Sequence, residues 1–221
     1  MQEVLRRVVP EEEDVFYSPP PHNKNYPPPA MPEGAEAGIV KGMYLLKAAD
    51  PKAKGHRVHL LGCGAILREI VAGAELLAKD FGINADVWSV TSFTELARDA
   101  AECERGNLLH PLEAPRVPYV TQALKARDAD APVIASTDYM KMFAEQIRPH
   151  VGRSYRVLGT DGFGRSDYRK KLRYHFEVDR HFVVAAALKS LADENKVPSV
   201  KVAEAIEKYG IDPEKASPAK A

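Results

Sequence analysis

The chain has 221 residues, enough for one well-buried domain with arms and too few for two large ones. Its 31 basic and 31 acidic residues cancel to a formal net charge of zero, so no global field draws it to nucleic acid or an anionic membrane. No stretch approaches the roughly 20 apolar residues that span a bilayer, and the charged start MQEVLRRVVPEEEDVFY is unlike a signal peptide, which predicts a soluble, cytoplasmic chain.

In chain order, EDVFYS reads as a short strand without partners of its own. It runs into SPPPHNKNYPPPAMPEG, which places seven of the 17 prolines within residues 18–32. Proline lacks the amide donor and restricts the residue before it, so this stretch predicts an extended connector. GIVKGMYLLKAA (38–49) offers an edge strand. HRVHLLGCG (56–64) reads as a buried strand, and AILREIVAGAELLAKDFG (65–82) as a helix with Ile66, Ile70, Val71, Leu76 and Leu77 on one stripe and Gly82 as its stop.

ADVWSV (85–90) is the next strand. TSFTELARDAAECERG follows as a helix with Thr91 or Ser92 as N-cap and Glu95 as the partner of Ser92 in a capping box. PRVPYVTQALKA holds a short helix, APVIAST (131–137) a strand, DYMKMFAEQIRPHV a helical stretch and YRVLGT (155–160) the last strand. Three helices close the chain, in SDYRKKLRYHF, DRHFVVAAALKSLADEN and PSVKVAEAIEKYG. Strands alternating with helices predict an α/β fold: an open, mainly parallel sheet covered by helices on both faces.

The chemistry-bearing motifs are incomplete. Gly62-Cys63-Gly64 lies between strand and helix, but the third glycine of a dinucleotide fingerprint would fall at Leu67, and no acid closes the next strand. Gly159, Gly162 and Gly164 form a second glycine loop without the Lys-Ser or Lys-Thr of a P-loop, and without the G-D-G start and downstream Asn of a magnesium–diphosphate site. The nearby cations Arg165, Arg169, Lys170, Lys171 and Arg173 suit either an anion or acidic partner surface, or a solvated helix face.

His56 and His59 sit three apart in a strand and point to opposite faces, while His175 and His181 straddle a helix break, so no metal set is predicted. Ser92, Ser136, Ser154 and Ser166 lack the G-x-S-x-G elbow of a hydrolase. Cys63 and Cys103 are outside any C-x-x-C spacing and read as buried free thiols. No catalytic, cofactor-binding or metal residue is assigned from the sequence.

Four segments carry a resemblance: NYPPPAMPEGAEAGIVKGMYLL (25–46), WSVTSFTELARDAAECERGNLLHPLEAPRVPYV (88–120), ASTDYMKMFAEQIRPHV (135–151) and YRVLGTDGFGRSDYRKKLRYHFEVDRHFVVAAAL (155–188). With the ending VAEAIEKYGIDPEKASP, the chain resembles the C-terminal part of the homodimeric, pyruvate-decarboxylating first components of bacterial pyruvate dehydrogenase complexes, within the transketolase superfamily. The resemblance covers about nine-tenths of the chain. It departs at FYSPPPHNKNYPPP, where Lys24 replaces an acid and Pro19–Pro21 interrupt a strand.

The resemblance implies a transketolase-type C-terminal α/β domain over 35–221, with one antiparallel edge strand, preceded over 1–34 by the end of another domain and a connector. It further implies thiamine diphosphate and magnesium bound in domains upstream of Met1, a homodimer, and a lipoyl-bearing acetyltransferase as partner. On this reading the chain supplies scaffold and interface rather than catalytic groups. The loop Gly159–Asp167 would turn the chain out of the last strand, with Asp161 and Arg165 anchoring it or meeting neighbouring domains near the substrate entrance. Two other readings stay open: another thiamine enzyme of the superfamily, and a free-standing interaction module with this fold.

Overall fold

A computed structural model describes residues 6–13 and 29–220. The chain divides into two compact units, Met1–Glu33 and Gly34–Ala221. In the first, Arg7 and Glu13 are joined twice, by a 2.6 Å side-chain contact and by the Glu13 amide donating to the Arg7 carbonyl at 2.9 Å. The expected EDVFY strand and the Pro19–Pro21 region with Lys24 lie outside the described residues, save Glu13.

The second unit opens with α1 (Glu36–Val40) and β1 (Met43–Lys47). Then come β2 (Arg57–Cys63), a 3-10 turn at Gly64–Ile66 leading into α2 (Leu67–Phe81), β3 (Asn84–Val90) and α3 (Phe93–Leu109). The chain continues through α4 (Tyr119–Lys125), β4 (Val133–Ser136), α5 (Lys141–Glu145), α6 (Arg148–Val151) and β5 (Tyr155–Leu158). It closes with α7 (Arg169–His175), α8 (Arg180–Asp193) and α9 (Val200–Lys208).

The five strands lie in the order β1-β3-β2-β4-β5. All neighbours are parallel except β1, which pairs antiparallel with β3 at the edge. Val58 and Leu60 of β2 point to one face, where Ile70, Ala74 and Leu77 of α2, Val184, Leu188 and Leu191 of α8, and Ala205 of α9 cover them. Leu61 and Trp88 point to the other, against Phe93 and Leu96 of α3, Val120 and Leu124 of α4, and Ile147. Alternation along each strand therefore feeds two cores, which is why the buried strands read as near-continuous apolar runs.

Local signals explain the element ends. Gly82 takes φ 66° and stops α2 in the left-handed conformation. Ser92 caps α3, its Oγ accepting from the Glu95 amide at 3.0 Å, while the Glu95 carboxylate pairs with Arg98 instead of closing the box. The stretch DYMKMFAEQIRPHV is not one helix but the two short helices α5 and α6. Pro149 cannot donate to the carbonyl four residues back and its ring crowds the preceding turn, so the helix restarts with proline in its first turn. The last helices are shorter than SDYRKKLRYHF and PSVKVAEAIEKYG suggest, because Ser166–Tyr168 and Pro198–Ser199 lie ahead of the first helical turns. The cysteines correct a second expectation: both are free, yet Cys63, at the end of β2, and Cys103, on α3, are only partly buried.

Candidate functional site

Ligands of open α/β sheets settle outside the carboxyl ends of the strands where the order reverses. Here β2 leads to β3 on one side and β4 to β5 on the other, so the reversal lies between β2 and β4. The residues leaving those ends are Gly64 and Ala65 after β2, and Thr137 and Asp138 after β4.

That crevice holds a side chain of the protein itself. The Asp138 carboxylate accepts from the Ala65 amide at 3.3 Å, at the entry to α2. Gly64, at φ +57°, makes room for it, since a Cβ there would meet Asp138 Oδ1 at 2.8 Å. The Gly62-Cys63-Gly64 turn thus presents its anion-binding position to an internal carboxylate, which gives the physical reason its fingerprint is incomplete. Cys63 sits beside it with its thiol pushed up to about 11, by burial first and the Asp138 charge second.

The loop after β5 is stitched to the loop after β4. The Thr137 amide donates to the Leu158 carbonyl (3.1 Å), the Thr160 amide to the Tyr139 carbonyl (3.0 Å), and the Thr160 hydroxyl to the Asp138 carbonyl (3.1 Å). Asp161 does anchor the loop, its Oδ1 accepting from the Lys141 amide at 3.0 Å. Gly159 is required by close approach: a Cβ would lie 2.8 Å from the Tyr139 carbonyl oxygen. Gly162 takes φ +97° and packs under the C-terminal tail, where a Cβ would meet the Pro218 carbonyl oxygen at 2.3 Å.

Beyond Gly162 the loop projects. Phe163 is 85% exposed, Gly164 has no neighbour within 4 Å of a Cβ, and Arg165 makes no hydrogen bond or ion pair with any described residue. Arg165 therefore ties the loop to none of the described residues, unlike Asp161. Tyr139, Met142 and Tyr168 are exposed on the same two loops and their continuation.

The basic run that follows is split. Arg173 turns inward to Glu69 of α2, donating to Oε1 at 2.7 Å, and Arg180 closes on the same carboxylate through its amide, Nε and Nη2 at 3.1, 2.9 and 3.1 Å. Burial pushes the Glu69 carboxyl up, but the hydrogen bonds and charge of Arg180, joined by the charge of Arg173, outweigh it and hold the group below the usual carboxylate range. Lys171 lies over the Tyr168 ring at 5.1 Å. The tail straps α7: Lys215 reaches Glu177 at 2.7 Å, and the Asp212 amide donates to the Tyr174 hydroxyl at 3.0 Å.

The histidines lie in separate settings. His59 is fully buried, accepting from the Trp88 indole at Nδ1 (3.2 Å) and donating through Nε2 to the Asp128 carbonyl (3.1 Å). His56 is exposed ahead of β2, and His181 stacks on Tyr209. Among the described residues no group of three or more His, Cys, Asp or Glu side chains is placed to hold a metal ion. Ser92 is a helix cap, and the hydroxyl of Ser136 is buried without a partner among the described residues. Sequence reasoning missed Glu69 and Asp138; Glu69 falls on the apolar stripe of α2, three residues after Ile66, and that placement was the available signal.

Compared with known families, residues 42–179 match the transketolase-like TK C-terminal domain. The chain belongs to this family. Over 99% of its length the chain is 58% identical to the pyruvate dehydrogenase E1 component of Pseudomonas aeruginosa, and 56% identical to those of Cupriavidus necator and Escherichia coli K12. It spans about a quarter of the length of those relatives, 24% in each. Among solved structures, a transketolase from Pichia stipitis in complex with sedoheptulose 7-phosphate superimposes on 72% of this chain and 19% of its own, with a TM-score of 0.51 and 18% identity. That likeness establishes the transketolase-type C-terminal fold. Among the described residues no helix of the domain is long and apolar enough to cross a membrane.

Proposed function

We propose that the chain is the C-terminal portion of a thiamine diphosphate-dependent pyruvate dehydrogenase E1 component. The whole enzyme would decarboxylate pyruvate and pass the two-carbon unit to a lipoyl group on an acetyltransferase in the cytoplasm, and would work as a homodimer. The observation that carries this reading is the 58% identity to such a component across 99% of the chain, far above what shared fold alone maintains. Residues 35–221 form the domain, and 1–34 complete and connect a preceding one.

The residues present do not fit the cofactor. Magnesium with a diphosphate needs a set of oxygen ligands, and the acids at the glycine loop, Asp138, Asp161 and Asp167, are engaged by the Ala65, Lys141 and Tyr168 amides. When bound elsewhere in the enzyme, thiamine diphosphate supplies the carbanion chemistry. This chain contributes a rigid sheet whose Gly159–Asp167 loop, fixed at Gly159, Asp161 and Gly162, offers the exposed Phe163 to neighbouring domains or the second subunit.

The test is a chimera in which this chain replaces the matching quarter of the Escherichia coli relative. Pyruvate decarboxylation and lipoyl acetylation by a dimeric chimera are expected. A chimera that folds and dimerises with cofactor bound but does not turn over would count against the reading and favour an independent interaction module.

A further inference from the structure

Between the projecting part of the glycine loop and α7 lies a cleft of about 480 Å³, within the range of small-ligand sites. Its lining holds several hydrogen-bond donors that no described residue uses. Arg165 has no partner among the described residues, and neither does the Ser166 hydroxyl. The Tyr174 hydroxyl accepts from the Asp212 amide at 3.0 Å, which leaves its own proton to donate. His175 also lines the cleft.

The one carboxylate in the lining is already engaged. Asp167 takes the Tyr168 amide on Oδ1 at 2.7 Å and faces Lys171 across 4.0 Å on Oδ2. What remains is an excess of cationic and neutral donors beside one apolar wall, Leu172. A guanidinium fork with two hydroxyls offers more donors than a carboxylate needs, and suits the three terminal oxygens of a phosphate. The apolar wall suits the organic part of an ester.

We propose that this cleft binds a small phosphomonoester, with Arg165 holding two phosphate oxygens and Ser166 and Tyr174 meeting the rest. The site lies apart from the Asp138-filled crevice at the strand reversal, and it does not depend on the enzyme assignment made above.

The experiment is a titration of the full 221-residue chain with glycerol phosphate, inorganic phosphate and pyruvate, followed by amide chemical shifts. Saturable shifts confined to residues 165–175 are expected with glycerol phosphate, with weaker binding of inorganic phosphate. Arg165→Ala should weaken the ester about tenfold or more, the loss of its charge-assisted contacts, and Ser166→Ala less, with thermal unfolding unchanged because neither side chain has a partner among the described residues. Absence of saturable shifts, or equal affinity in Arg165→Ala, would overturn the site. Pyruvate binding as tightly as the ester would overturn the ligand class.

Discussion

Glu69 is a buried charge that joins three helices, and Glu69→Gln isolates its role. The carboxylate is 3% exposed and receives four donors, three from Arg180 and one from Arg173, which tie α7 and the start of α8 to α2. Removing one partner of a buried ion pair costs about 3–5 kcal/mol. Here the Arg180 side chain is 44% exposed and can rehydrate, so the cost falls toward about 2–3 kcal/mol. With a urea slope of about 2 kcal/mol/M, the unfolding midpoint should drop by about 1 M with the slope unchanged.

The pH dependence follows from the lowered folded pKa of Glu69. Its stabilisation is fully present above the unfolded value of about 4.3, and is lost as pH falls through the folded value. The two proteins should therefore differ at pH 7 and converge below about pH 4. A difference under about 0.5 kcal/mol at pH 7, or a gap that persists undiminished into acid, would refute the reasoning.

Gly162→Ala should cost about 1–2 kcal/mol, from its positive φ and its contact with Pro218, and should speed proteolysis of residues 212–220. Gly164→Ala has open space and should be neutral, so equal behaviour of the two variants would remove the assigned role of the tail. Alkylation kinetics should find Cys63 nearly inert at neutral pH, its thiol being pushed up to about 11; modification as fast as a free thiol would contradict that. Burial, with the charge of Arg153 adding to it, holds His59 below its ordinary 6.5 against the opposing pull of the Asp128 carbonyl and Asp86. Stability should therefore be complete above about pH 6.5 and decline below it as the unfolded chain takes up the proton. Denaturant midpoints for the native chain and His59→Gln should show that slope flattened in the variant, and identical slopes would exclude His59 as its source.

Signals within one element were legible in the sequence. Gly82 ends α2, Ser92 caps α3, and the alternation of strand and helix leads to the mainly parallel sheet, while the antiparallel setting of β1 at its edge was implied only by the family resemblance. Pro149 was visible too, but its power to divide a helical stretch was underread. The site was less legible because its defining contacts join distant positions. Asp138 meets Ala65 across 73 residues, and Arg180 meets Glu69 across 111. No periodicity announces such pairings. The glycine loop shows the same limit: three glycines look alike in sequence, while the structure distinguishes Gly159 by a neighbouring loop, Gly162 by the tail, and Gly164 by open space.

The central claim, that this chain works as the architectural C-terminal portion of a larger thiamine-dependent enzyme, is tested most directly in its source. Antibody raised against residues 35–221 should detect, under denaturing conditions, a polypeptide about four times the 24.4 kDa of this chain. Thiamine-dependent pyruvate decarboxylation should deplete with it. A sole species near 24.4 kDa, with the decarboxylating activity left in the supernatant, would contradict the account.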